Sequence, residues 1–200
     1  MSEIWTQRYD RPDYLFGMEP TEFLVTATHH VPPTNALCVA DGEGRHSAYL
    51  AQRGFDVTAF DPAPTALQKA RRLDVAKGVT VARHQASLDD WDWTQPYGAV
   101  VAMFIQFQGP EARLPTFERL RQATRPGGHV ILQGFAPRQV DYGTGGPSDR
   151  ENMYTTEFLE QQFGGWTLHH LRDHDAPVAS GPGHDGIAAL VELIAQKPDQ

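Results

Sequence analysis

Short apolar runs alternate with stretches of helical period along this sequence, and that alternation constrains the fold more than any other feature. The spacing predicts strands over residues 36–40, 55–60, 79–83, 98–105 and 129–132, then 166–172 and 186–197. Helices are expected over 44–53 and 110–124, with Leu114, Phe117 and Leu120 on the buried side of the second. Another helix is expected to enter through Asp61 as N-cap and Pro62 as first helical residue, and to stop at Gly78. A further helix is expected over 155–163. The run 98–105 is apolar throughout, as a strand buried on both faces should be. Strand and helix in this order imply right-handed βαβ units. The fold class is therefore α/β, a Rossmann-like doubly wound, mostly parallel sheet with helices on both faces.

Two segments fall outside the rhythm. Residues 1–33 precede the first strand and carry Trp5, Tyr9, Tyr14 and Phe16, which reads as an arm or cap over the site. Residues 136–154 are glycine-rich and hold Arg138, Tyr142 and Tyr154; a loop of that length reads as a lid. The main domain is placed at 34–197, with a tail at 198–200. The 200 residues carry a formal charge of −8, which argues against a nucleic-acid partner. One cysteine excludes a disulfide framework and a multi-cysteine zinc site. No apolar run is long enough for a membrane span, and no leader-like segment is visible, so a cytoplasmic location is expected.

The first strand leads into Asp41-Gly-Glu-Gly44. Glycines there let backbone approach a ligand, and the helix that follows aims its N-terminal N–H groups at the same spot. Ligands of open parallel sheets bind at the carboxyl ends of the strands. Asp61 ends the second strand, 19 residues after Gly42, where a carboxylate can accept both hydroxyls of a ribose. A dinucleotide fingerprint wants a third glycine, and Ser47 stands in that place. The bland alternative is a tight βα turn capped by Asp61. His169, His170, His174, Asp173 and Asp175 invite a metal reading, but adjacent strand residues point to opposite faces, and no metal is expected.

Taken together, these motifs resemble the class I S-adenosylmethionine-dependent methyltransferases, and within them the bacterial tellurite-resistance and thiopurine-methyltransferase-like group. The carriers are Trp5 with Arg8-Tyr9, Tyr14 to Pro20, Gly42-Glu-Gly-Arg45, Phe60-Asp61, Arg125-Pro-Gly-Gly, Tyr142 to Pro147, and Gly183-His184 with Gly186. The resemblance implies seven strands with the last antiparallel, and S-adenosylmethionine as cofactor with S-adenosylhomocysteine as product. It implies that Gly42 and Gly44 face the methionine moiety and Asp61 the ribose. Ser87 and Leu88 would flank the adenine, Met103 and Phe104 would close the pocket, and Trp5, Tyr9 and Phe16 would cover it. Ala40, Arg45 and Pro62 complete the implied cofactor set. The chain departs from the family's common residues at Cys38, His46, Ser87 and Gln106.

Methyl transfer from a sulfonium is an in-line displacement with a neutral leaving group, so it needs alignment and dryness more than acid catalysis. A thiol, selenite or tellurite acceptor needs little or no base. His184 is the candidate base or orienting group, and Gln106, Tyr142 and His184 are the candidate acceptor contacts. Two other readings stay open. One is a nicotinamide-dependent oxidoreductase; the other is an S-adenosylmethionine-binding domain without catalysis. The expected partner is a small-molecule acceptor, and the sequence leaves the oligomeric state undetermined.

Overall fold

The computed structural model describes residues 2–199, so Met1 and Gln200, at the ends of the expected arm and tail, lie outside the described residues. The elements run α1 (Ser2–Tyr9), α2 (Glu22–Ala27), β1 (Asn35–Val39), α3 (Arg45–Gln52), β2 (Asp56–Asp61), α4 (Pro64–Lys77) and β3 (Ala82–Gln85). They continue with β4 (Tyr97–Met103), α5 (Pro110–Ala123), β5 (Thr124–Phe135), α6 (Thr156–Gln162), β6 (Thr167–Ala179) and β7 (Asp185–Gln196). The strands form one seven-stranded sheet in the order β3-β2-β1-β4-β5-β7-β6. β2 runs parallel to β1 and β3, and β5 parallel to β4, while β7 is antiparallel to both β5 and β6. This is the expected Rossmann-like sheet with its last strand reversed.

Two compact units divide the chain. The first comprises the residues up to Asp92 with Ser180–Gly183, and the second comprises Trp93–Ala179 with the residues from His184 onward. In the first, β1 and β2 bury Leu37, Val39, Val57 and Phe60, and Leu67, Ala70 and Leu73 of α4 are buried with them. Phe60 is stacked on Trp91 at 4.6 Å, so Trp91 is a loop anchor. In the second unit, every residue of β4 is buried, as its unbroken apolar run requires. Phe117 of α5 sits among Tyr154, Phe158 and Phe163, all edge-on to it within 6.1 Å.

Several elements differ from the reading of the sequence, for identifiable reasons. Asp61 stays in the β2 ladder opposite Gln85, so the N-cap of α4 is Ala63, and Pro64 rather than Pro62 opens the helix. β3 begins at Ala82, not at residue 79, because the partner of Ala82 is Thr58 and no earlier residue pairs. Leu114 is exposed; the buried stripe of α5 is Arg113, Thr116, Phe117 and Leu120, an i, i+3, i+4, i+7 face one residue away. Segment 136–154 is not structureless, since short 3-10 turns form at Pro137–Asp141 and Arg150–Asn152. β6 is a 13-residue strand because it pairs along the whole length of β7. A bulge between Leu168 and His170 also breaks the expected alternation. His169 bonds Gln196 and His170 bonds Glu192, and those partners share one face of β7.

Candidate active site

The glycine turn is built in the first unit. β1 ends at Val39, and Ala40 then takes a left-handed conformation with φ 48°. An alanine there carries a steric cost of about 1–2 kcal/mol. Ala40→Gly is therefore expected to stabilise the fold by about 0.5–1 kcal/mol, after the extra freedom of glycine in the unfolded chain is subtracted. Thermal unfolding would read this as a rise of about 2–3 °C, and a fall would mean that the Ala40 methyl is a packing group.

Gly42 and Gly44 are also left-handed, with φ 58° and 90°. Their missing side chains have different neighbours. A Cβ on Gly42 would lie 2.8 Å from the Tyr9 hydroxyl. One on Gly44 would lie 2.7 Å from the Ala70 Cβ and 2.8 Å from Arg83 Nη2, so Gly44 lets α3 start directly against α4. Gly42 N–H donates to Asp61 Oδ2 and Ala63 N–H donates to Asp61 Oδ1, both at 2.9 Å. Burial pushes the Asp61 carboxyl up to about 6 despite these two donors. Burial also holds the Tyr9 hydroxyl protonated far above its ordinary range, and the carboxylates of Asp61, Glu43 and Asp41 add to this.

Glu43 and Arg45, which alternate with the glycines, grip the N-terminal arm. Glu43 Oε2 accepts from Leu15 N–H at 2.8 Å and from Phe16 N–H at 3.4 Å, and its Oε1 pairs with Lys69 Nζ at 2.7 Å. Lys69 also donates to Asp13 O, and Arg45 Nη1 donates to Phe16 O at 2.8 Å. Burial lowers the Arg45 guanidinium to about 10. The clasp holds an aromatic trio in which Trp5 stacks on Tyr9 at 5.5 Å and Phe16 lies 6.4 Å from each. Behind the turn, Asp41 accepts from Ser47 Oγ in a short hydrogen bond and from Arg83 Nη1 at 3.0 Å. Arg83 meanwhile forks onto both oxygens of Asp74. Ser87 Oγ donates to Asp90 and accepts from the N–H groups of Asp89 and Asp90, closing a turn that leaves Leu88 buried.

In the second unit, Met103 ends β4 and Phe104 follows with φ 58°, an unusual conformation for an aromatic residue. Its ring lies 4.8 Å from that of Phe135, and His184 stands 4.8 Å from Phe135 and edge-on to Phe104 at 6.3 Å. Strained residues of this kind gather at functional sites. Gln106 Nε2 donates to Phe135 O at 2.8 Å and its Oε1 accepts from Phe135 N–H, in space left by Gly134. Tyr142 donates to Asp175 Oδ2 at 2.8 Å, beside Arg138, which is paired with Asp173 and Asp175.

Residues 36–128 match the family model described as a methyltransferase domain. Hemagglutinin 1 of Eikenella corrodens is 27% identical over 211 residues, 94% of this chain, and the chain spans 64% of that relative's length. A solved structure described by the conversion of a disulfide bond into a thioacetal group during echinomycin biosynthesis is similar with TM-score 0.80. Its identity is 18%, over 100% of this chain and 93% of the other. TehB from Haemophilus influenzae gives TM-score 0.73 at 15% identity, over 98% of this chain and 66% of the other. The N-methyltransferase NodS from Bradyrhizobium japonicum WM9, in complex with S-adenosyl-l-homocysteine, gives 0.73 at 11% identity, over 98% of each chain. What these structures share with this chain is the fold.

Within the first unit, the structure brings Tyr9, Gly42 and Asp61 together, and Trp5 and Phe16 pack beside Tyr9. It also groups Phe104 with His184. Other expected contacts are differently engaged. The Arg45 guanidinium holds the Phe16 carbonyl, both ends of the Gln106 amide hold the Phe135 backbone, and the Tyr142 hydroxyl holds Asp175. Pro62 contributes its carbonyl to Gln85 at 3.5 Å. The reading of the sequence missed the Asp41–Ser47–Arg83–Asp74 network and the Glu43–Lys69 clasp. Glu43, an acid between the two turn glycines, was the one local signal. Among the described residues no group of three His, Cys, Asp or Glu side chains is arranged to hold a metal ion, and no helix is long and apolar enough to cross a membrane.

Proposed function

We propose that this protein is an S-adenosylmethionine-dependent methyltransferase acting on a small molecule with a soft nucleophile, such as a thiol, selenite or tellurite. The carrying observation is Asp61. Each of its oxygens accepts one backbone N–H and keeps a second lone pair, which suits the two hydroxyls of a ribose. Gly42 fits the same cofactor, because its left-handed backbone keeps a side chain away from the turn. Bound S-adenosylmethionine supplies an electrophilic methyl on a sulfonium. Asp61 and the Gly42 backbone orient the nucleoside part, Leu88 lies beside the adenine, and Trp5, Tyr9 and Phe16 exclude water. Phe104, Phe135 and His184 orient the acceptor, His184 serving as hydrogen-bonding group. Ser47 supports this reading over a dinucleotide. It stands where a third glycine would be needed, and its hydroxyl is bonded to Asp41 and to the Gly44 carbonyl.

Calorimetric titration with S-adenosylmethionine, S-adenosylhomocysteine and NAD, in parallel, tests the proposal. Binding of the first two and not NAD is expected, followed by methyl transfer to at least one of a thiol, selenite or tellurite. Binding of NAD alone would overturn the cofactor reading. Tight binding without turnover on any acceptor would favour a non-catalytic domain.

A further inference from the structure

In the second unit, the segment between β5 and α6 is a loop whose two ends meet at one residue. Ala136 leaves directly from Phe135, and Tyr154 N–H returns to donate to the Phe135 carbonyl at 3.1 Å. The tip of the loop lies back on the same residue. A Cβ on Gly146 would stand 3.1 Å from Phe135 Cδ2 and 3.2 Å from Gln139 Cγ, so the backbone crosses that ring with only a glycine's clearance. Gln139 holds it there. It is fully buried, and its amide is engaged at both ends. Nε2 donates to Thr144 Oγ1 at 2.9 Å and to Gly145 O at 3.0 Å, and Oε1 accepts from Ala189 N–H of β7 at 2.7 Å. Thr144 passes the bond on, its hydroxyl donating to Ile187 O at 2.7 Å. Gly186 makes room for it, since a Cβ there would lie 2.7 Å from Thr144 Cγ2. One amide and one hydroxyl thus pin the tip to β7.

From this arrangement we infer that residues 143–150 form a flap that opens to admit the methyl acceptor and closes on Phe135, and that Gln139 is the positioning residue that holds it shut. The inference rests on the proposed function, in which Phe104, Phe135 and His184 orient the acceptor. The Phe104 and His184 rings each lie 4.8 Å from that of Phe135, and the flap closes a further side of it. Methyl transfer gains from a dry site, which a closed flap supplies. The bonds that hold the tip are neutral and few, so they can break and re-form within a turnover. The base of the flap is held differently, by the ionic contacts of Arg138 with Asp173 and Asp175 and by Tyr142 on Asp175. Gly143 lies between base and tip, left-handed at φ 65° and with open space where a side chain would be, as suits a hinge.

Full-length protein with S-adenosylmethionine is assayed on benzenethiol, selenite and tellurite. Thr144→Val keeps the size of the side chain and removes its hydroxyl. It is expected to raise the acceptor KM about fivefold or more, with kcat changed by less than about twofold. S-adenosylhomocysteine affinity should not change, because Asp61 and the glycine turn belong to the first unit. Thr144→Ser keeps the hydroxyl and should restore the wild-type KM. Gln139→Met removes both ends of the amide and should raise the acceptor KM about tenfold or more. That variant empties a buried polar site and can compromise folding, so Thr144→Val decides. Amide exchange across residues 143–150 should quicken about tenfold in Thr144→Val. Transfer by the wild type with an unaltered acceptor KM in Thr144→Val, or a rise that Thr144→Ser shares, would overturn the flap alone. An equal loss of S-adenosylhomocysteine affinity would make these bonds merely structural and overturn it too. Transfer by the wild type to none of the three acceptors would overturn the acceptor reading, and the flap's role with it.

Discussion

Replacing Arg83 by methionine is expected to remove about 3–5 kcal/mol of folding stability, the usual result of deleting one partner from a buried ionic network. Arg83 is the centre of that network. Its Nη1 lies 3.0 Å from Asp41, its Nε and Nη2 lie 2.6 and 2.7 Å from the two oxygens of Asp74, and Nη2 lies 3.0 Å from Ser47 Oγ. Only 2% of its side chain is exposed, and 3% of that of Asp41. Without the guanidinium, Asp41 keeps the hydroxyl and backbone N–H of Ser47 against its desolvation. Burial already pushes the Asp41 carboxyl above its ordinary value with Arg83 present. The variant should therefore recover part of its loss at acid pH, where Asp41 protonates. Lysine should rescue poorly, because a point charge cannot fork onto Asp74 and reach Asp41 together. Urea unfolding at pH 5 and pH 8 measures both effects. A loss below about 1 kcal/mol at pH 8 would place the network in the class of solvated surface pairs.

This network also shows where the sequence stops being readable. The strands nearest the glycine turn were legible because apolar runs bounded by turn residues have few other uses, and 98–105 corresponds to the fully buried β4. The turn was legible too, because Gly42, Gly44 and Asp61 have a spacing set by backbone conformation. Partnerships in space were not. Arg83 meets Asp41 across 42 positions of sequence, and a strand expected over 79–83 does not say which distant side chains Arg83 reaches. The candidate acceptor contacts suffered in the same way. Gln106 and Tyr142 have the right chemistry to touch a ligand, but chemistry alone does not say that Phe135 and Asp175 already engage them. On α5, the apolar period points to Leu114 as core, and nothing in the sequence singles out Arg113. The Arg113 guanidinium itself lies over the Phe158 ring at 4.1 Å and donates to the Glu151 carbonyl, so a charged group takes a buried place on this face.

Asp61 should make cofactor binding and folding depend on pH in opposite ways. Its folded carboxyl sits at about 6, against an ordinary value of 3.8, because burial disfavours the charge more than its two N–H donors favour it. Between those values the folded chain holds the proton more often than the unfolded chain. Stability therefore falls as pH rises from about 4 to about 6, by about 3 kcal/mol in all, and is then flat with respect to this group. Asp41, pushed up for the same reason, adds to the slope in the same direction. Tyr9 stays neutral throughout and does not contribute. A ribose offers two hydroxyl donors, which favour the ionised carboxylate, so affinity should move the other way. S-adenosylhomocysteine should bind about tenfold more weakly at pH 5 than at pH 7, with proton release on binding at the lower pH. Asp61→Asn should flatten both profiles and weaken binding at pH 7 about 100-fold, as expected for loss of charge-assisted hydrogen bonds worth about 1.5–3 kcal/mol each. Calorimetry in buffers of different ionisation enthalpy measures affinity and proton release together. An unchanged pH profile in Asp61→Asn would move the ribose contact, and the titration, to another residue. The same buried carboxylate would thus be a liability to the free fold above pH 6 and the source of its grip on the nucleoside.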